Sequence, residues 1–292
     1  MRTDGDTWDI VSSVGATALG VATFRAIETA RTDAMIRDDC ARLFVEAAGD
    51  PHFIETIDDP PTDGPVLRMI GLRTTFFDEF FGAATDAGIR QAVIVASGLD
   101  ARAYRLQWPA GGTLYEIDQP KVLEFKQRVL ADHGIAPGVE LRSVPVDLRD
   151  DWPGALAAAG FDPDLPTAWS AEGLLPYLPG AAQDSLFERI DALSAPGSRV
   201  SVECFTGRPD LARFSAIEQA QFDRNPFGDL DVSELFYDDD RADPAQWLSE
   251  HGWSVRADSV ADLATHYHQP VPELPAEAEH MSAATAYLTA QK

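Results

Sequence analysis

The chain has 292 residues, 45% of them hydrophobic, and a formal net charge of −25. That length holds one or two domains, and the apolar share is that of an ordinary globular protein able to bury a sizeable core. The acidity excludes the basic footprint that nucleic acid or an anionic membrane surface requires.

Asp4, Asp6 and Asp9 precede the first apolar stretch, where a secretory signal would carry positive charge, so none is expected. The apolar run from Val14 to Phe24 is too short to cross a bilayer and is broken by Gly15 and Gly20. Residues 11–48 read as helical, with alanine-rich apolar spacing, and Asp50-Pro51 ends the run. Proline and glycine make a loop of Asp58 to Pro65. A second helix is predicted over Val66–Phe81, its phenylalanines serving as core packing.

From Gln91 onward strands and helices alternate. Strands are predicted at Ala92–Ala96, Thr113–Ile117, Glu140–Val146, Thr167–Ala171, Arg199–Phe205, Ser254–Ser259 and Ala283–Thr289. Helices fall near Ala101–Leu106, Pro120–His133, Pro153–Ala159 and Ala181–Leu193. This pattern predicts an α/β fold: a doubly wound, Rossmann-like seven-stranded sheet, mostly parallel, with the short last strand antiparallel. Residues 207–244 break the alternation and read as an insertion after the fifth strand, a lid or substrate wall. The expected organisation is one domain over 1–292. Residues 1–90 form a helical cover, 91–206 and 245–292 the core, and 207–244 the insertion. Cys40 and Cys204 have neither metal spacing nor a disulfide framework, which suits reduced thiols in a cytoplasmic protein.

The most telling stretch runs from Ala92 to Arg102. Its apolar strand ends in the turn Ser97-Gly98-Leu99-Asp100, and a second strand ends in Glu116-Ile117-Asp118. Gly98 and Asp118 are twenty positions apart, the spacing at which an open sheet presents an acid to a nucleoside ribose. The dinucleotide fingerprint would need glycines where Ala96 and Ala101 stand. A nucleoside without a pyrophosphate fits better, and S-adenosylmethionine is the common one. Ligands of such sheets bind beyond the carboxyl ends of the strands. Two more ends carry acids: Asp147-Leu148, a carboxylate and an amide able to grip an adenine edge, and Ala171-Glu172-Gly173. Each acid alone has a plainer reading as a helix cap or first-turn residue.

Residues 93–106 (Val-Ile-Val-Ala-Ser-Gly-Leu-Asp-Ala-Arg-Ala-Tyr-Arg-Leu), 115–120 (Tyr-Glu-Ile-Asp-Gln-Pro), 146–148 (Val-Asp-Leu) and 171–178 (Ala-Glu-Gly-Leu-Leu-Pro-Tyr-Leu) resemble the leucine carboxyl methyltransferase superfamily. The likeness is to its bacterial branch, abundant in mycobacteria, and the early Ala-Ile-Glu-Thr-Ala-Arg-Thr-Asp (26–33) shares it. The resemblance implies the class I methyltransferase fold and S-adenosyl-L-methionine as cofactor. It implies that the turn Ser97, Gly98 and Asp100 passes under the methionine moiety. Asp118 would hold the ribose with Glu116 beside it, and Asp147 and Leu148 would bracket the adenine. Glu172 would face the methionine ammonium and Arg73 its carboxylate, in the bidentate manner open to arginine. The family turn usually has glycine where Ala96 stands.

A sulfonium methyl is already electrophilic, so the protein mainly supplies position. The expected reaction is O-methylation of a small apolar or aromatic acceptor, a carboxylate slightly favoured. Leu19, Phe24, Phe205 and the insertion's Phe214, Phe222, Phe227 and Phe236 would shape the pocket. A phenol or alcohol would need a general base, for which Tyr177 and His266 are candidates. No metal, nucleic-acid, membrane or obligate protein partner is expected. Two other readings stay open: a non-catalytic S-adenosylmethionine-binding or regulatory protein, and an NAD-dependent oxidoreductase, which the missing glycines disfavour.

Overall fold

The computed structural model describes residues 13–60, 65–206, 232–272 and 284–292. One sheet contains β1 (Gln91–Val95), β2 (Thr113–Asp118), β3 (Glu140–Pro145), β4 (Thr167–Ala171), β5 (Arg199–Phe205), β6 (Ser254–Ser259) and β7 (Thr285–Gln291). The strand order is β3-β2-β1-β4-β5-β7-β6. β7 is antiparallel to both neighbours, and every other pairing is parallel. The doubly wound sheet with a reversed last strand is therefore present, with β7 starting at Thr285, two residues later than the pattern predicts. β1 connects outward to β2 on one side and lies against β4 on the other. The crevice beyond the carboxyl ends of β1 and β4 is thus the switch point where such sheets bind ligands.

β1 and β4 are buried at every position, which is why Ala92–Val95 of β1 reads as an unbroken apolar run. Alternation divides their side chains between two cores. Val93, Val95 and Trp169 face one core, closed by α7 (Trp152–Ala158), α8 (Gly180–Ala192) and α9 (Pro244–Glu250). Ala92, Ile94 and Ala168 face the other, closed by α4 (Pro65–Asp86) and α5 (Arg102–Arg105). The phenylalanines of α4 are core residues, as expected.

The stretch 11–48 is not one helical run. α1 (Ser13–Ala30) ends, and α2 (Asp39–Ala48) starts after an irregular link. The cause is Asp38, whose carboxylate accepts from the amides of Cys40 and Ala41 and so caps α2. Asp50-Pro51 also starts a helix rather than only ending one. Gly49, at φ 71°, closes α2, and Asp50 caps α3 (Pro51–Asp58) by accepting from the His52 amide at 2.9 Å. Asp243-Pro244 opens α9 in the same way. Ser259 and Asp262 form a capping box that opens α10 (Val260–His266). α6 (Pro120–Asp132) follows β2 and packs with α1 and α2. Most of the insertion expected at 207–244 lies outside the described residues.

α1 lies over the turn after β1. The Ala18 methyl is 3.8 Å from where a Cβ on Gly98 would stand, and Arg25 Nη2 donates to the Leu99 carbonyl at 2.7 Å. Leu19 and Phe24, expected to line an acceptor pocket, are instead fully packed. Leu19 sits among α2, α3 and α6, and Phe24 against Ile27, Leu67 and Ile70. Their helical spacing marks the core face of α1 and not a pocket wall.

Candidate active site

The turn that leaves β1 uses left-handed backbone at Ala96 (φ 53°) and Gly98 (φ 49°). This aims the Gly98 amide at the end of β2, where it donates to Asp118 Oδ2 at 2.6 Å. The Gln119 amide donates to Oδ1 at 2.7 Å. Each Asp118 oxygen still has accepting capacity, so the carboxylate is fixed in direction and able to receive two hydroxyls. Burial pushes its pKa up, and the two amides oppose that rise.

Glu116 does not stand open beside Asp118. It is fully buried and paired at 2.8 Å with Lys126 of α6, itself fully buried. The Lys126 ammonium also reaches Ser97 Oγ at 3.3 Å. Glu116 and Asp118 share a strand face, but Glu116 lies a step deeper, where only an ion pair can satisfy it. Ser97 and Glu116 therefore form the floor under the turn. Asp147 is held by its neighbours: Arg149 donates from Nε at 2.9 Å and from Nη2 at 2.8 Å, and Gln119 Nε2 lies at 3.2 Å. Leu148 packs against the first core.

The other half of the site is an ion-pair cluster that sequence reasoning saw only in part. Arg73 Nε donates to Glu172 Oε1 at 2.8 Å, across 99 positions of sequence. Glu172 Oε2 accepts from Arg102 Nη1 at 2.7 Å. Arg102 further donates from Nε to Asp78 at 2.7 Å and from Nη1 to Asp100. Arg105 clasps the same Asp78 with both Nη groups, and Glu203 of β5 lies 3.3 Å from Arg73 Nε. Arg73, Arg102 and Arg105 thus meet Asp78, Asp100, Glu172 and Glu203, and Arg105 extends the cluster to Asp38 and its partner Arg25. Burial works against the charged forms of Asp100 and Glu172, yet Arg102 overrides it and holds both below the usual carboxylate range. Arg73 is no surface residue. Among the described residues its one hydrogen bond comes from Nε, and its Nη edge lies against Gly173, where a Cβ would stand 2.6 Å from Nη2. Arg102 lay unmarked within the quoted turn motif. Glu203 and Asp78 carried no local signal, because only the fold brings them to Arg73 and Arg102.

Tyr177 lies just beyond Glu172, its ring 5.1 Å from Phe236, which is 6.1 Å from Phe205. These three rings gather next to the ends of β4 and β5. His266 is elsewhere. It ends α10, exposed, with Nε2 3.4 Å from Glu79 of α4. Glu79 is six residues along the helix from Arg73, about 9 Å at ~1.5 Å per residue. His266 is therefore not brought to the strand ends. Burial pushes the Cys40 thiol up to about 11 and that of Cys204 to about 12, so neither is poised as a nucleophile. Among the described residues there is no group of three or more metal-ligating side chains, and no helix is long and apolar enough to cross a membrane.

The chain is 63% identical over 294 residues, covering 100% of both chains, to a Rhodococcus jostii protein named "Putative S-adenosyl-L-methionine-dependent methyltransferase". A Mycobacteroides abscessus protein of the same name is 54% identical and covers 99% of this chain and 96% of its own length. Among solved structures, magnesium protoporphyrin IX methyltransferase from Synechocystis aligns with 87% of this chain at 13% identity and a TM-score of 0.49. Residues 18–191 match the leucine carboxyl methyltransferase family, and the chain belongs to that family.

Proposed function

We propose that the protein transfers the methyl group of S-adenosyl-L-methionine to an oxygen of a small apolar or aromatic acceptor, a carboxylate slightly favoured. That it is an S-adenosyl-L-methionine-dependent methyltransferase follows from the family and from relatives that span its whole length. The acceptor and the residue roles are our reading.

One observation carries the reading. Beyond the ends of β1, β2 and β4 the chain sets an anchored carboxylate, Asp118, and opposite it a guanidinium, Arg73, with its Nη edge unspent. That donor set fits the cofactor: two ribose hydroxyls for Asp118 and an amino-acid carboxylate for Arg73. Glu172 would meet the ammonium in company with its two arginines. Asp147 would accept from the adenine amine by sharing or releasing Arg149, with Leu148 as an apolar side to the ring. Gly98 leaves room under α1 that any side chain would fill.

Bound there, the cofactor supplies an electrophilic sulfonium methyl. The residues named here bind and orient. α1 over the turn keeps water from the strand ends, and the rings of Tyr177, Phe205 and Phe236 offer an apolar wall for the acceptor. A carboxylate acceptor is ionised at neutral pH and needs no base. We retain a single domain as our description of the chain, residues 1–90 its cover. Titration calorimetry with S-adenosylhomocysteine and with NAD tests the cofactor half. We expect S-adenosylhomocysteine to bind and NAD to bind poorly. Tighter binding of NAD would overturn the reading.

A further inference from the structure

Glu203 is the carboxylate beside Arg73 to which the proposed function gives no task. It stands one residue past Val202, the β5 partner of Ala171, so it lies beside Glu172 at the sheet's carboxyl edge. In the antiparallel pairing its partner is Tyr287 of β7. The Tyr287 ring is fully buried, 5.3 Å from Phe76 of α4, and its hydroxyl lies within hydrogen-bonding reach of the Glu203 carboxylate. Phe76 is three residues from Arg73 on one helix. Tyr287 thus packs on the helix that carries Arg73 and is the cross-strand partner of the acid that faces Arg73.

We propose that Glu203, held by Tyr287, is a positioning residue: it keeps the Nε side of Arg73 turned inward and leaves the two Nη groups for the amino-acid carboxylate of the cofactor. This rests on the reading of Arg73 given above. The argument is one of competing geometries. A guanidinium and a carboxylate prefer two parallel hydrogen bonds. With Glu172 as its only partner, Arg73 would rotate to clasp both Glu172 oxygens and spend an Nη group there. Glu203, 3.3 Å from Nε, pulls that nitrogen toward β5 and leaves the contact with Glu172 at a single hydrogen bond of 2.8 Å. Gly173, at φ 62°, completes the arrangement. It leaves the space that Arg73 Nη2 occupies, which any side chain at this position would enter. Losing Glu203 would cost twice, because Arg73 would close on Glu172 and block the ammonium's acceptor as well.

The test compares two ligands. S-adenosylhomocysteine carries the amino-acid end; 5′-methylthioadenosine has the same adenosine and sulfur without it. Calorimetry on the full chain should show Glu203→Gln weakening S-adenosylhomocysteine by about tenfold, the scale of one charged hydrogen bond, while methylthioadenosine stays within about twofold. Tyr287→Phe should act in the same direction by about threefold. Equal losses for both ligands would make Glu203 a prop of the sheet edge and overturn the proposal, as would unchanged affinity for S-adenosylhomocysteine. Arg73→Gln separates this from the reading beneath it. If Arg73→Gln weakens S-adenosylhomocysteine alone and Glu203→Gln does not, only the positioning role falls. If Arg73→Gln moves neither ligand, the assignment of Arg73 falls, and the role of Glu203 with it. Should Glu203→Gln fail to fold, Tyr287→Phe, which removes one oxygen and no volume, decides by the same comparison.

Discussion

Asp118 concentrates the site's logic in one side chain. Two amides fix its direction, and its spare lone pairs face the crevice. Asp118→Ala removes the proposed acceptor and leaves two ligand hydroxyls unpaired, at a cost of roughly 1.5–3 kcal/mol. S-adenosylhomocysteine should bind about tenfold to a hundredfold more weakly by calorimetry, with the circular dichroism spectrum unchanged. Unchanged affinity would show that another group holds the ribose. Glu116 is not the replacement, because its ion pair with Lys126 occupies it below the turn. Ala96 makes a different point. Its φ of 53° is left-handed, and a Cβ is strained there, which accounts for the glycine usual in the family. Ala96→Gly should raise stability by about 1 kcal/mol in urea unfolding without weakening cofactor binding. A destabilised variant would mean that the alanine methyl contributes packing that outweighs the strain.

At the scale of elements, Arg102 joins three that local pattern could not connect. From α5 it reaches Asp78 on α4, Asp100 in the turn and Glu172 after β4, and it is almost fully buried. Arg102→Met would leave Asp100 without its guanidinium, and Asp78 and Glu172 with Arg105 and Arg73 alone, which costs about 3–5 kcal/mol for a buried pair. The pH dependence has a definite sign. Asp100 and Glu172 are held below the usual carboxylate range in the folded state. Their contribution is complete above the unfolded-state pKa and is lost as pH falls through the lowered folded values. The gap in unfolding free energy between wild type and Arg102→Met should be widest near neutral pH and shrink below about pH 4, where carboxyls begin to protonate. Urea unfolding at both pH values checks this, and a gap independent of pH would show that Arg102 acts by packing alone. The elements themselves were largely legible. Strand runs such as Ala92–Val95 are apolar because both faces are buried, and that leaves a mark in sequence. The breaks were less legible, because Asp38, Asp50-Pro51 and Asp243-Pro244 signal a helix start only to a reader who gives a cap more weight than a stop.

Across the whole molecule, what local sequence recorded and what it omitted divide by distance along the chain. Asp118 was found because a strand, a turn and a strand put it a fixed number of residues after Gly98. Glu203 and Asp78 were missed because their partners lie on other elements and no spacing rule links them. The acceptor end belongs to the second kind, and so it is best settled by reaction. The three rings at the ends of β4 and β5 supply apolar surface, and His266, the histidine considered as a base, sits on the outer side of α4. Apolar walls, and no histidine near the strand ends among the described residues, favour an acceptor that is already ionised. We therefore expect labelled S-adenosyl-L-methionine to pass its methyl to small apolar or aromatic carboxylic acids in preference to phenols and amines of the same skeleton. Alignment and removal of water then suffice, since the nucleophile needs no deprotonation. Product confined to amines would exclude oxygen transfer. Product on phenols, with a rate rising with pH and lost in Tyr177→Phe, would instead assign the base to Tyr177 and remove the preference for carboxylates.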